Sequence, residues 1–386
     1  MTPPVLIAGL SGRALAAAAR RSGYDPLVLD LFADADTQEL ALRSAQVDGS
    51  IEEGLSEEAL IAAAKAIAPL ADYPRLDLVY GSGFEDRPML LARLAAGRRL
   101  RGNRPDTVAR LKDPHDFFSA LDRLGLPHPE VCYMPPADAE DWLVKRVGAS
   151  GGAHIVVASG AVAEPDRYYQ KQVAGRPLSL LFLANGVRAL PLGFSAQWSA
   201  RERGYLFGGA ARPASVSARI AADMAQAAQA LTVEFGLLGL NSADVIARDD
   251  GFDLLEVNPR PGATLDIFDH AGDLFALHCR ACAGDLPTYR AELADAAACA
   301  VVYAPRAITV PRGVSWPAWA ADLPNGGSTI EAGAPVCTVL ARDSRKATAR
   351  AKVIARGDEI LARIEAERDP NRTQVETGLA MEAAQP

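Results

Sequence analysis

The segment Phe252-Asp-Leu-Leu-Glu256-Val-Asn258-Pro-Arg260-Pro-Gly262 constrains this chain more than any other. In a strand, alternate residues share a face, so Glu256 and Asn258 point one way while Leu255 and Val257 pack behind them. Just upstream, Asp250-Gly251 is a hairpin turn signal. A three-residue loop from Asp249 to Gly251, with Gly251 left-handed, sets Asp244 directly across from Glu256, whereas a one-residue slip would put them on opposite faces. Facing carboxylates repel. A pair held together calls for a hard cation that prefers oxygen ligands, here Mg²⁺ held with nucleotide phosphates. A solvated acidic hairpin is the plainer reading of the two acids alone, and the added Asn-Pro-Arg-Pro-Gly weighs against it.

The chain opens with a buried strand, Val5 to Ala8, a glycine turn, Gly9-Leu-Ser11-Gly12-Arg13, an Ala-rich helix to Arg21 and a second strand, Pro26 to Leu31. That is a βαβ unit. Leu76 to Tyr80 repeats the pattern and ends in Gly81-Ser82-Gly83-Phe-Glu85, which completes a small parallel sheet over 1–105. Residues 106–295 form a second domain. It starts with Lys112 and a helix, Phe117 to Leu124, closed by Gly125, and continues through strands at Trp142 to Val147, Ile155 to Ala158, Tyr168 to Val173 and Leu178 to Leu183. An Ala-rich helix to Phe235 precedes the acidic hairpin, and another helix runs to Cys282. Residues 296–367 read as a small β-rich lobe with one helix, and 368–386 as a frayed polar tail.

Trp142-Leu-Val-Lys145-Arg-Val-Gly148-Ala-Ser150-Gly151-Gly152 places a Lys at a strand end before a glycine loop, whose backbone N–H groups can approach phosphate. With the acidic hairpin about a hundred residues later, the whole resembles the ATP-grasp superfamily. That resemblance implies an ATP-grasp α/β (α+β) fold with an N-terminal pre-ATP-grasp domain. It implies that Asp244, Glu256 and Asn258 hold Mg²⁺, or Mn²⁺, between nucleotide phosphates, and that Arg260 stabilises charge at the transferred group. It implies phosphate contacts by Lys112, Lys145, Ser150, Gly151 and Gly152, with Lys112 opening its helix. It also implies a purine hinge at Gln170, Gln172 and Val173. The family's usual Lys-Pro is Lys145-Arg146 here, His154 stands where Gly is common, and no acidic ribose ligand occurs between Gly175 and Ser179. Preference for ATP is therefore inherited from the resemblance.

Within the superfamily, the opening strand and turn, Tyr80-Gly-Ser-Gly-Phe-Glu85 and Gly193-Phe-Ser-Ala-Gln-Trp198 resemble carboligases related to biotin carboxylase. Those are associated with tetrahydromethanopterin and methylofuran coenzymes. The implied reaction joins a small carboxylate to an amine, such as that of glutamate, through an acyl phosphate. A carboxylase or kinase of the same superfamily, and a non-catalytic nucleotide sensor, are the competing classes. The presence of all six residues Lys112, Lys145, Asp244, Glu256, Asn258 and Arg260 speaks against the sensor. Ser11, Gly12, Arg13, Ser82, Gly83 and Glu85, on turns at the ends of parallel strands, are the candidate substrate contacts, with an anionic group expected at the first helix N-terminus.

The remaining totals narrow the partners. A net charge of −8 argues against a nucleic-acid surface, and five scattered cysteines suit a reducing cytoplasm. The opening apolar run is too short for a signal peptide or a membrane span, no membrane partner is expected, and a homodimer is compatible with everything above. Gly9-x-x-Gly12 lacks the full dinucleotide fingerprint. Cys279-Arg-Ala-Cys282 and His278 read as buried helix residues rather than a redox or metal motif.

Overall fold

The computed structural model describes residues 2–67, 76–159, 164–200, 203–269, 272–289 and 293–368. The polar tail expected over 368–386 lies outside them, except that Arg368 ends the last helix, Lys346–Arg368.

The first sheet is parallel throughout, in the order Arg43–Gln46, Asp25–Asp30, Pro4–Ala8, Asp77–Tyr80, Arg99–Leu100. Its apolar runs are buried on both faces, as a sheet covered by crossover helices requires. The order reverses between Pro4–Ala8 and Asp77–Tyr80, so their carboxyl ends form the crevice where open α/β sheets bind ligands. Both glycine turns noted in the sequence sit there. Gly9 and Gly81 abut so closely that a Cβ on Gly9 would lie 3.2 Å from the Gly81 Cα.

An eight-stranded sheet carries the acidic hairpin at one edge. Its order is Phe252–Asn258, Leu238–Ala247, Arg176–Asn185, Ala189–Ser199, Phe207–Arg212, Ala296–Tyr303, Pro335–Asp343, Ala320–Ala321, so it runs on unbroken past residue 296. Strand Arg176–Asn185 is buried on both sides. Leu178, Leu180 and Phe182 enter a core under helices Pro114–Leu124 and Ala218–Phe235. Leu181 and Leu183 enter another that contains Leu15, Ala16, Ala18 and Ala19 of the first helix. The second core welds the N-terminal sheet to the large one. Each fully buried leucine there contributes about 1.5–3 kcal/mol by leaving water.

A small antiparallel sheet, Val156–Val157, Trp142–Arg146, Arg167–Lys171, Val131–Cys132, carries Lys145 and the glycine loop. Helix Ala218–Phe235 is capped by the Ser217 side chain and closed by left-handed Gly236, and its buried stripe makes it a core helix. Among the described residues no helix is long and apolar enough to cross a membrane. His278 is buried and satisfied, accepting from the Leu240 N–H (2.9 Å) with its other nitrogen 2.9 Å from the Arg101 carbonyl. Cys279 is buried as expected, but Cys282 is only half-buried, and both are free thiols.

Candidate functional site

The acidic hairpin pairs Asp244 directly with Glu256 and Ser242 with Asn258, by a route the sequence did not suggest. The turn is not a three-residue loop: Ala247 pairs with Phe252 and the Arg248 N–H donates to the Gly251 carbonyl (2.8 Å), which leaves only Asp249 and Asp250 at the tip, and Gly251 has no positive φ. On its own that turn would set Asp244 against Leu255. A bulge between Asp244 and Val245 leaves Leu255 without a partner and turns Glu256 to face Asp244. Leu255 is consequently half-buried rather than packed like Val257, which lies in the core.

Ser179 lies across from Asp244 on the next strand, and Ser195 across from Ser179, so Ser195, Ser179, Asp244 and Glu256 form one polar row over four strands. Asn258 Nδ2 donates to Asp244 (3.0 Å) and Glu256 (3.4 Å), and Gln197 Nε2 donates to Asp244 (3.3 Å). Lys112 is nearly buried, its Nζ 2.9 Å from Glu256 Oε2 and 3.3 Å from Asn258 Oδ1. It closes helix Pro105–Lys112 instead of opening the next one, because Asp113 caps that helix by accepting from the Asp116 N–H. Burial and Glu256 push the Asp244 carboxyl up. Burial acts the same way on Glu256, but the ammonium groups of Lys112 and Lys145 pull it below the usual range. Two carboxylates and an amide oxygen, brought into line by the bulge and balanced here by a lysine ammonium, are a donor set that suits a hard divalent cation. A half-turn of the Asn258 amide would present its oxygen to the same point.

Lys145 and Gln170 share a face of the small sheet, because Lys145 pairs with Tyr168 and Leu143 with Gln170. Lys145 Nζ donates to Gln170 Oε1 at 2.5 Å, which leaves Gln170 Nε2 buried without a partner. Burial pushes the Lys145 ammonium down to about 8, with Glu256 and Asp244 opposing and Lys112 assisting. The glycine loop turns through left-handed Gly148, Gly151 and Gly152. A Cβ on Gly152 would lie 2.0 Å from the Tyr205 carbonyl oxygen, and the Phe207 N–H donates to the Gly151 carbonyl (2.9 Å). Ser150 is half-buried in that loop. Beyond Lys171, Gln172 is exposed, with its N–H on the Asp141 carbonyl (2.6 Å), and Val173 is half-buried.

The N-terminal turns divide between two roles. Glu85 and Arg260, both buried, form an ion pair at 2.6 Å across the junction, and the other Glu85 oxygen accepts from the Gly83 (2.7 Å) and Phe84 (3.0 Å) N–H groups. Burial would raise the Glu85 carboxyl, but Arg260 and Lys112 hold it below the usual range. Tyr80 donates to the Pro259 carbonyl (3.0 Å), so the end of the first sheet is seated where the strand that carries Glu256 and Asn258 runs out towards Arg260. Ser82 is half-buried, with its carbonyl on the Leu10 N–H.

The other turn is internally committed. In place of the anionic group expected at the first helix N-terminus, Asp30 accepts from the Gly12 N–H (2.8 Å). Gly12 itself is required, because a Cβ would sit 2.3 Å from Val28 Cγ1. Arg13 is bidentate to Asp266 (2.8 and 2.6 Å) and bound to Asp322 (3.1 Å), which also accepts from Ser11 (3.2 Å). Arg13 thus clamps three parts of the chain together. Its sequence signature, a lone Arg after a glycine turn, carries no hint of partners so far away.

A basic and an acidic set thus meet between two sheets, near a glycine loop. Residues 112–264 match the family model described as an ATP-grasp domain. Among solved structures, Rhizobium etli pyruvate carboxylase matches with a TM-score of 0.69 and 17% identity over 92% of this chain, which spans only 37% of that longer one. The biotin carboxylase domain of Hydrogenobacter thermophilus 2-oxoglutarate carboxylase, a dimer with MgADP and bicarbonate, matches with a TM-score of 0.67 and 15% identity, covering 88% and 86% of the two chains. N5-carboxyaminoimidazole ribonucleotide synthetase in its ADP complex matches with a TM-score of 0.65 and 16% identity, covering 95% and 99%. At these identities the likeness establishes the fold. No curated protein sequence matches the chain.

Proposed function

We propose that this protein is an ATP-dependent ligase that activates a small carboxylate and joins it to an amine. The observation that carries the reading is the convergence of Lys112 and Lys145 on Asp244, Glu256 and Asn258, with Arg260 on the same strand end. In this reading Lys112, Lys145, Ser150, Gly151 and Gly152 hold phosphates, and Gln170, Gln172 and Val173 hold the purine. Asp244, Glu256 and Asn258 would hold Mg²⁺, which when bound neutralises phosphate charge. A carboxylate oxygen attacks the γ-phosphorus, the bond to the bridging oxygen breaks, and ADP leaves with an acyl phosphate remaining. The amine nitrogen then attacks the acyl carbon, phosphate departs with the oxygen, and the nitrogen's proton passes to phosphate or solvent. Lys145 and Arg260 offset the developing charge, and the closed loop keeps water from the acyl phosphate.

The domain division at 105, 295 and 367 belongs to the same proposal, as do a cytoplasmic setting, a homodimer and substrate contacts from Ser82, Gly83 and Glu85. So does a role in adding glutamate or another amino acid during synthesis of a tetrahydromethanopterin-type or methylofuran-type coenzyme. The carboxylases among the similar structures favour one second reading, in which bicarbonate is the acid. Measuring ADP release with MgATP against a matrix of carboxylic acids and amines tests both. Release that needs one acid and one amine supports the ligase, release with bicarbonate replacing every organic acid supports the carboxylase, and none under any pairing refutes both.

A further inference from the structure

We propose that His154 is a phosphate-binding residue, its imidazole N–H donating a hydrogen bond to the terminal phosphoryl group of the nucleotide. The inference rests on the nucleotide reading above and adds a side chain that neither the glycine loop nor the lysines supply.

His154 follows the two glycines that pin the loop. The Gly152 carbonyl accepts from the Ile155 N–H (3.2 Å), making a tight turn with His154 inside it, and the loop backbone is held against Tyr205 and Phe207. Within this fixed frame the ring's Nδ1 is buried and has no hydrogen-bond partner. Gln170 Nε2, on the neighbouring strand, is buried and unpartnered too. A buried polar atom without a partner costs about 1–3 kcal/mol and calls for a reason. For His154 Nδ1, in the turn that ends the glycine loop, a phosphate oxygen is that reason, as the purine is for Gln170 Nε2.

The charges around the ring agree. Glu256, Lys145, Arg146 and Lys112 are the groups that act on it, three cations to one acid. Burial in that company keeps the imidazole neutral, so it offers a directional N–H without adding charge. Glu256 lies two residues before Asn258 and four before Arg260, at the reacting end of the cleft. Gln172 and Val173 mark the purine end. Glu256 is the first of the charges that act on the ring, which points to the terminal phosphoryl group.

The test is nucleotide binding by calorimetry with MgATP and MgADP, on the full chain and on two variants, with thermal unfolding in parallel. His154→Leu should weaken MgATP by about tenfold to a hundredfold, as expected for a hydrogen bond to a charged group, and MgADP by less than about twofold. His154→Asn, which keeps an N–H near the Nδ1 position, should retain most of the MgATP affinity. Unchanged MgATP binding in the Leu variant overturns the proposal. So does equal loss of both nucleotides, or an Asn variant no better than Leu, since either marks a structural residue. A parent protein that binds neither nucleotide overturns the ligase reading itself, and this assignment with it.

Discussion

Asp244 and Glu256 face each other, yet neutralising them should move stability in opposite directions. Glu256→Gln removes a carboxylate that its surroundings keep ionised. Its side chain is 39% exposed, while that of its partner Lys112, 2.9 Å away, is 6% exposed. Breaking a buried pair from one side costs about 3–5 kcal/mol, and an exposed pair is worth about 0.2–1 kcal/mol. The half-solvated geometry, with Lys112 keeping Asn258 Oδ1 at 3.3 Å, places the loss at about 1–2 kcal/mol by the same two limits. Relief of repulsion from Asp244 acts the other way and is outweighed by Lys112 and Lys145. Asp244→Asn removes a charge that burial and Glu256 disfavour, so stability at pH 8 should be unchanged or up to about 1 kcal/mol higher. If both oxygens serve a hard cation, each variant should lower ADP release by about a hundredfold or more, partly recovered at high Mg²⁺. The measurements are urea unfolding of the protein without nucleotide and ADP release across a Mg²⁺ titration. A Glu256→Gln variant more stable than the parent would refute the electrostatic argument, and full activity at ordinary Mg²⁺ would refute the ligand assignment.

Three further expectations concern the junctions. Burial pushes the Asp34 carboxyl up to about 8, helped by Asp322, Asp30 and Asp36 against the pull of Arg13. The native state therefore holds a proton that the unfolded chain releases above about pH 4, and stability from this group falls between pH 4 and pH 8. Asp34→Asn should match the parent near pH 4 and exceed it by up to about 5 kcal/mol at pH 8, and a gap in unfolding free energy that does not change with pH contradicts the sign. Glu85→Ala strands the buried Arg260 guanidinium and should cost about 3 kcal/mol or more in urea unfolding; a loss under about 1 kcal/mol means water already serves that arginine. Gly148 to Gly152 should gain hydrogen-exchange protection when MgATP saturates the site, and identical exchange with and without nucleotide removes the loop's role as a cover.

What was legible in the sequence was local. The βαβ opening, the capped helices and the acidic hairpin follow from periodicity and turn chemistry within a few residues, and those signals survive folding because neighbouring side chains set them. Strand Ala189–Ser199 escaped notice because most of its residues are half-buried on both faces, so no alternation marks it. Tertiary structure alone decided the rest. Glu256 faces Asp244 because the Leu255 bulge repairs a register the turn would have missed. Lys112 meets Glu256 across 144 residues of chain, and Arg13 meets Asp322 across 309. Burial makes such contacts strong by stripping water from the charges, and no pattern along the chain says which distant carboxylate a buried cation will find.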